Sequence, residues 1–190
     1  MKSSEKNQIA CSTSFMVREI HISPGHNFFG HHGKAAGTHP TVSVDEVECV
    51  AGEGLRGDRF FGYKKNYQGQ VTFFSAEVFQ DLCEQFKVVG KSAAVLRRNV
   101  ITSGIDLNTL VGAQFELQGI RFEGVAECSP CLWMNQAFGP GAEEFLKDRG
   151  GLRARILTTG ILRVEDLCSD NKFDGGNEQH DPKRSAKPQL

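Results

Sequence analysis

Residues 113 to 131 read A-Q-F-E-L-Q-G-I-R-F-E-G-V-A-E-C-S-P-C. Up to Glu127 this stretch predicts a β-hairpin, with its tight turn at Gln118-Gly119. The second arm delivers the chain directly to a pair of cysteines three residues apart. The fold is therefore read around a hairpin, and the chemistry around what the hairpin carries.

Working outward, F-M-V-R-E-I-H-I-S (15 to 23) and T-V-S-V-D-E-V-E-C-V (41 to 50) alternate as half-buried strands do, and Q-V-T-F-F-S (70 to 75) predicts a buried strand. Ser75 is placed to cap the following helix, A-E-V-F-Q-D-L-C-E-Q-F-K, whose Val78, Phe79, Leu82 and Phe86 fall on one face at helical spacing. A-V-L-R-R-N-V-I-T (94 to 102) predicts a further strand. L-W-M-N-Q-A-F (132 to 138) has helical character, and G-P-G-A-E-E-F-L-K-D-R-G-G (139 to 151) a short helix ended by glycines. L-R-A-R-I-L-T-T-G-I-L (152 to 162) predicts the last strand. The order is strand-rich, with short helices and no strand-helix rhythm, which disfavours a doubly wound parallel sheet. A mainly β fold is expected, an antiparallel β-barrel with two or more short helices, because closure leaves no exposed edges.

Composition agrees. The chain has 190 residues, 39% hydrophobic and 24% charged, with a net charge of -1, which argues against a strongly basic nucleic-acid surface. Fourteen Phe against two Tyr and one Trp, with 21 Gly, suit strands joined by tight turns. No apolar run reaches the roughly 18 residues of a spanning helix, and M-K-S-S-E-K-N-Q lacks the apolar core of a secretory signal, so a cytoplasmic protein with no membrane partner is expected. Residues 1 to 14 and 169 to 190 are polar and read as disordered tails around one domain, 15 to 168. Between Pro24 and Pro40 lies a segment with four Gly and four His, of a length at which loops are often functional.

A C-x-x-C pair can be a redox dithiol, half of a zinc site, a soft-metal donor or two buried thiols. For a thioredoxin-like site the chain lacks the required proline: none lies between 141 and 181. For structural zinc no second C-x-x-C completes the set. The remaining cysteines (Cys11, Cys49, Cys83, Cys168) are scattered, as reduced thiols rather than a disulfide framework. Arginines form the other pattern: Arg56 and Arg59 in G-L-R-G-D-R, Arg97 and Arg98 in L-R-R-N, and Arg149, Arg153 and Arg155 in R-G-G-L-R-A-R. Glycine lets backbone N–H groups approach an anion, and the guanidinium grips phosphate with a planar fork. Singly, such arginines are more often solvated surface charges.

In their order and spacing, G-L-R-G-D-R (54 to 59), R-R-N-V-I-T (97 to 102), G-I-D-L-N-T-L-V-G (104 to 112), S-P-C (129 to 131) and G-G-L-R-A-R-I-L-T-T-G (150 to 160) resemble a MOSC domain. The resemblance spans residues 15 to 166. It implies a β-barrel-based fold that binds the molybdenum cofactor, a phosphate-bearing pterin dithiolene, with one cysteine at the metal. By that resemblance Cys131 is the metal ligand and catalytic residue, Arg59, Arg97 and Asn99 hold the cofactor, and Cys128 tunes the metal from close by. Ser23 to His26 occupy the place of another cofactor-contacting segment. The chain departs from relatives that reduce N-hydroxylated compounds in having Arg98 where they tend to carry proline, and Glu165-Asp166 where they carry Gly-Asp. A desulfurase domain of the kind that precedes this module in the sulfurases is not expected.

Two activities are consistent with this reading. One is an oxidoreductase that reduces N-hydroxylated small molecules with electrons from a separate protein partner; the other is a carrier holding a persulfide on Cys131 or the cofactor itself. A third possibility is a binding module without cofactor, in which the arginines are ordinary surface charges.

Overall fold

The computed structural model describes residues 15–26 and 37–165. The polar ends and most of the His-rich segment lie outside the described residues. In chain order the strands are β1 (Met16–Ile22), β2 (Val42–Val44), β3 (Glu46–Val50), β4 (Gly54–Leu55) and β5 (Val71–Ser75), followed by helix α1 (Ala76–Gln85). Then come β6 (Val100–Ser103), β7 (Gln114–Leu117), β8 (Ile120–Glu127), the short helices α2 (Trp133–Phe138) and α3 (Ala142–Phe145), β9 (Leu152–Ile156) and β10 (Gly160–Arg163).

The mainly β class with short helices holds, but the described pairings do not form a single closed antiparallel barrel. They form a seven-stranded sheet, β2-β1-β6-β5-β9-β8-β7, and a three-stranded sheet, β10-β3-β4. β5 and β6 pair in parallel, the other pairs antiparallel. Parallel neighbours need a crossover, and α1 supplies it. Ser75 starts that helix as expected, its Oγ accepting from Val78 N at 3.1 Å.

Two segments expected as single strands each divide between the sheets. Residues 41 to 50 break at Asp45, leaving β2 on β1 and β3 on β10; residues 152 to 162 break after Ile156, leaving β9 between β5 and β8 and β10 on β3. The apolar alternation slips by one residue at Asp45-Glu46 and lapses over 157 to 160, a signal that marks the breaks but does not name the strand each piece pairs with. Residues 94 to 102 differ too: Ala93–Leu96 form a 3₁₀ turn capped by Ser92, Arg97 takes φ 60°, and the strand begins only at Val100.

Alternation in β5 points adjacent phenylalanines to opposite sides. Phe73 packs with Phe115 and Phe122, ring centroids 5.7 and 5.4 Å away, in a core that takes in both sheets. Phe74 packs against the helices with Leu82, Leu96, Ile101, Met134, Phe138 and Leu146. Full burial of each large side chain contributes about 1.5–3 kcal/mol, which accounts for the demand for phenylalanine. The hairpin turn falls where expected, with Gln118 (φ 51°) and Gly119 (φ 76°) both left-handed. Among the described residues no helix is long and apolar enough to cross a membrane.

At Gly124, where the β8–β9 register shifts, an added Cβ would lie 2.0 Å from the Leu110 carbonyl oxygen. Gly124→Ala is therefore expected to cost about 1–3 kcal/mol, seen in urea unfolding as a lower midpoint with an unchanged slope.

Candidate functional site

The site rests on a buried polar junction between distant segments. In G-L-R-G-D-R the chain turns through Gly57 (φ 84°) and Asp58 points inward, 6% exposed. Asp58 Oδ2 accepts from Ser23 N (3.1 Å), Asn99 Nδ2 (3.2 Å) and Arg59 Nη1 (3.4 Å), and Oδ1 accepts from Phe60 N (3.1 Å). Asn99 Nδ2 also donates to His21 O, while Asn99 Oδ1 accepts from Thr72 N and Thr72 Oγ1. Every hydrogen-bonding position of the Asn99 amide is thereby used within the protein. Arg59 N donates to Ser23 O at 2.8 Å. β1, the 54–59 turn, β5 and the start of β6 are tied at one point.

Above this junction opens a cleft of about 200 Å³. Arg59, Arg97, Cys128 and Cys131 all line it, so folding brings these four expected residues together from three separate segments. Asn99 is not among the lining residues; it lies beneath, holding Asp58, and Asp58 holds Arg59. In this structure its amide is engaged with Asp58, His21 and Thr72. Also lining the cleft are Phe60, Tyr67, Thr72, Arg98, Trp133 and Arg153, which the sequence reading did not select. Arg153 carried a signal, since it sits in the Gly-flanked R-G-G-L-R-A-R group. Its neighbour Arg155 pairs instead with Glu123 at 2.9 Å, and sequence does not separate the two.

The cysteine loop is pinned from below. Arg98 donates to Gly150 O (3.1 Å), Cys128 O (2.8 Å) and Ser129 O (3.3 Å). Cys128 N donates to Gly151 O at 2.7 Å, continuing the β8–β9 pairing. Gly150 is required beneath the loop: a Cβ there would meet Cys128 O at 2.4 Å and Pro130 Cδ at 2.9 Å. Cys131 O accepts from Met134 N, and Trp133 Nε1 donates to Val95 O at 2.8 Å, so α2 is fastened to the 3₁₀ turn that presents Arg97.

The cleft is cationic. Four arginines line it and no Asp or Glu does. Burial, then the charge of Arg59, lowers the pKa of Arg97, with Cys131 partly opposing and Arg98 adding to the depression. Burial, then Arg59 and Arg97, likewise lowers His26, whose ring packs edge-on to Phe60 at 5.0 Å. Burial works against the charge on Arg153, but its neighbours Cys128 and Tyr67 raise its pKa overall. Burial raises Tyr67, against the pull of Arg153. Flat groups complete the walls: Arg59 lies 4.9 Å over the Phe60 ring and Arg97 5.9 Å from the Trp133 ring centre.

Residues 24–169 match the MOSC domain family. The chain belongs to that family. Solved structures support the fold. The YuaD protein from Bacillus subtilis superposes with a TM-score of 0.61 at 16% identity, covering 80% of this chain and 93% of that one. YiiM from Geobacillus stearothermophilus gives 0.57 at 12% identity (79% and 71% covered), and YiiM from Escherichia coli 0.53 at 16% (78% and 65%). A search of curated proteins finds no match. MOSC domains are in general associated with binding of the molybdenum cofactor.

The cleft of this MOSC domain fits such a group. Arg59 Nε is buried without an acceptor among the described residues, beside a soft sulfur donor and flat aromatic walls. Among the described residues no group of three or more His, Cys, Asp or Glu side chains is placed to hold a metal ion, so a metal here would have to bring ligands of its own.

Two outcomes are expected from this geometry. Asn99→Ala, by removing one donor from Asp58 and the acceptor of Thr72 N and Oγ1, costs about 3 kcal/mol in urea unfolding; Asn99→Asp costs more at neutral pH, the deficit shrinking as pH falls because one of two adjacent carboxyls takes up a proton. In native alkylation, half-buried Cys131 reacts well before Cys49, whose thiol is fully buried and pushed up to about 12 by that burial.

Proposed function

We propose that this MOSC domain binds the molybdenum cofactor in the cleft beneath the C-S-P-C loop and reduces N-hydroxylated compounds with electrons from a separate protein partner. What supports the reading above all is the meeting, in one cleft, of the Cys131 sulfur with Arg59, Arg97 and Arg153 and no lining carboxylate. Cys131 would face the metal as a soft donor. The three arginines would hold phosphate and pterin by charge-assisted hydrogen bonds, Arg59 offering its open Nε. When bound, the cofactor supplies the two-electron removal of oxygen from an N–O group, which no side chain provides.

The remaining work belongs to the protein. Asp58 and Asn99 orient Arg59, and Arg98 fixes the loop so that both sulfurs line the cleft. Phe60, Tyr67 and Trp133 offer flat apolar surface that excludes water around a planar ligand.

Protein purified from cofactor-competent cells is expected to contain molybdenum. Cys131→Ser and Arg59→Ala are each expected to lower its retention, Arg59→Ala by about tenfold or more, the loss of a charged hydrogen bond worth at least about 1.5 kcal/mol. Metal analysis that finds no molybdenum in the parent protein overturns cofactor binding. A labile gain of one sulfur on Cys131 without reductive turnover from an artificial electron donor identifies a persulfide carrier instead.

A further inference from the structure

Cys128 and Cys131 line one cleft, a pair of thiols beyond the single metal ligand that the proposed function needs. We propose that Cys128 and Cys131 form a reversible thiol oxidation site, in which a hydroperoxide oxidises Cys131 and Cys128 resolves it to a disulfide. Three observations carry this. First, both cysteines line the same cleft, Cys128 buried and Cys131 half-buried, so Cys131 is the more accessible of the two to a small peroxide that enters.

Second, the loop is bent rather than extended. The carbonyls of Cys128 and Ser129 both accept from the same Arg98 Nη2, at 2.8 and 3.3 Å, whereas successive carbonyls of an extended strand point to opposite sides. Pro130 follows, and Cys131 O already accepts from Met134 N in the turn that opens α2. Cys128 and Cys131 thus sit at the two ends of a turn pinned against Gly150, from which both reach one cavity.

Third, Arg97 and Arg153 line the same cleft as the two cysteines, and positive charge there stabilises the anion that leaves in each step. The other described cysteines are poorly placed to compete: Cys49 is sealed in the core between the sheets, and Cys83 packs among the residues around the helices.

The chemistry balances with a hydroperoxide as the oxidant. The Cys131 thiol takes the terminal peroxide oxygen to become a sulfenic acid, breaking the O–O bond and releasing an alcohol, or water from hydrogen peroxide. The Cys128 sulfur then attacks the Cys131 sulfur, the S–S bond forms, the S–O bond breaks and water leaves. A dithiol reverses it. Oxidation withdraws the soft donor from the cleft, and resolution spares Cys131 the irreversible sulfinic state.

The test uses the full chain with Cys11→Ser and Cys168→Ser, which removes the cysteines outside the described residues. After limiting hydrogen peroxide, alkylation and digestion without reductant, the peptide spanning 128 to 131 is expected to lose the mass of two hydrogens, take up no alkyl group and revert with dithiothreitol. Adding Cys128→Ser is expected to leave Cys131 as a sulfenic acid trapped by dimedone. The proposal is overturned if both proteins give equal dimedone adduct with no two-hydrogen loss, or if Cys131 links to Cys49 or Cys83. The mass of the protein that retains Cys128 decides the matter even if the Cys128→Ser protein fails to fold. Only two thiols and a peroxide are needed, so protein that fails to bind molybdenum still forms the disulfide.

Discussion

The contact on which the site depends is the buried pairing of the Asp58 carboxylate with the Asn99 amide, 3.2 Å apart at a junction of four chain segments. A buried carboxylate is costly unless its lone pairs are filled. Asp58 meets that condition with donors from Ser23, Asn99, Arg59 and Phe60. Meeting it fixes geometry at the same time, because Arg59 cannot swing away from the cleft without giving up its bond to Asp58. A charge buried at some cost to stability becomes the device that aims a cation.

The arginines raise the complementary problem. Arg59 and Arg97 are partly withdrawn from water and repel one another, as the lowered pKa of Arg97 records. Asp58, the carboxylate bonded to Arg59, is already divided among four donors. Four arginines line the cleft with no lining Asp or Glu, and this local excess of positive charge is the physical reason to propose an anionic ligand there.

Arg98 shows how a departure from a family pattern acquires a local cause. Where relatives tend to have proline, this chain places a guanidinium on three carbonyls, of Gly150, Cys128 and Ser129. It serves as a clamp on the cysteine loop and is largely used up in doing so, although it too borders the cleft. Two adjacent arginines therefore divide the labour: Arg97 faces the ligand space in a left-handed conformation, and Arg98 braces the loop opposite.

By itself the sequence determined what depends on local periodicity and turn chemistry: the hairpin reversing at Gln118-Gly119, the Ser75-capped helix with its apolar face, the mainly β class, and through dispersed motifs the MOSC family. Tertiary structure alone decided the rest. That the strands expected over 41 to 50 and 152 to 162 each divide between two sheets depends on pairing partners far away in the chain, which alternation does not encode. That Asn99 lies under the cleft rather than in it, and that Arg153 enters while Arg155 goes to Glu123, depends on which neighbour fills each hydrogen bond. Hydrogen bonds and charge contacts are settled between segments, so a residue's type and spacing show what it can do, and only its folded surroundings show what it does.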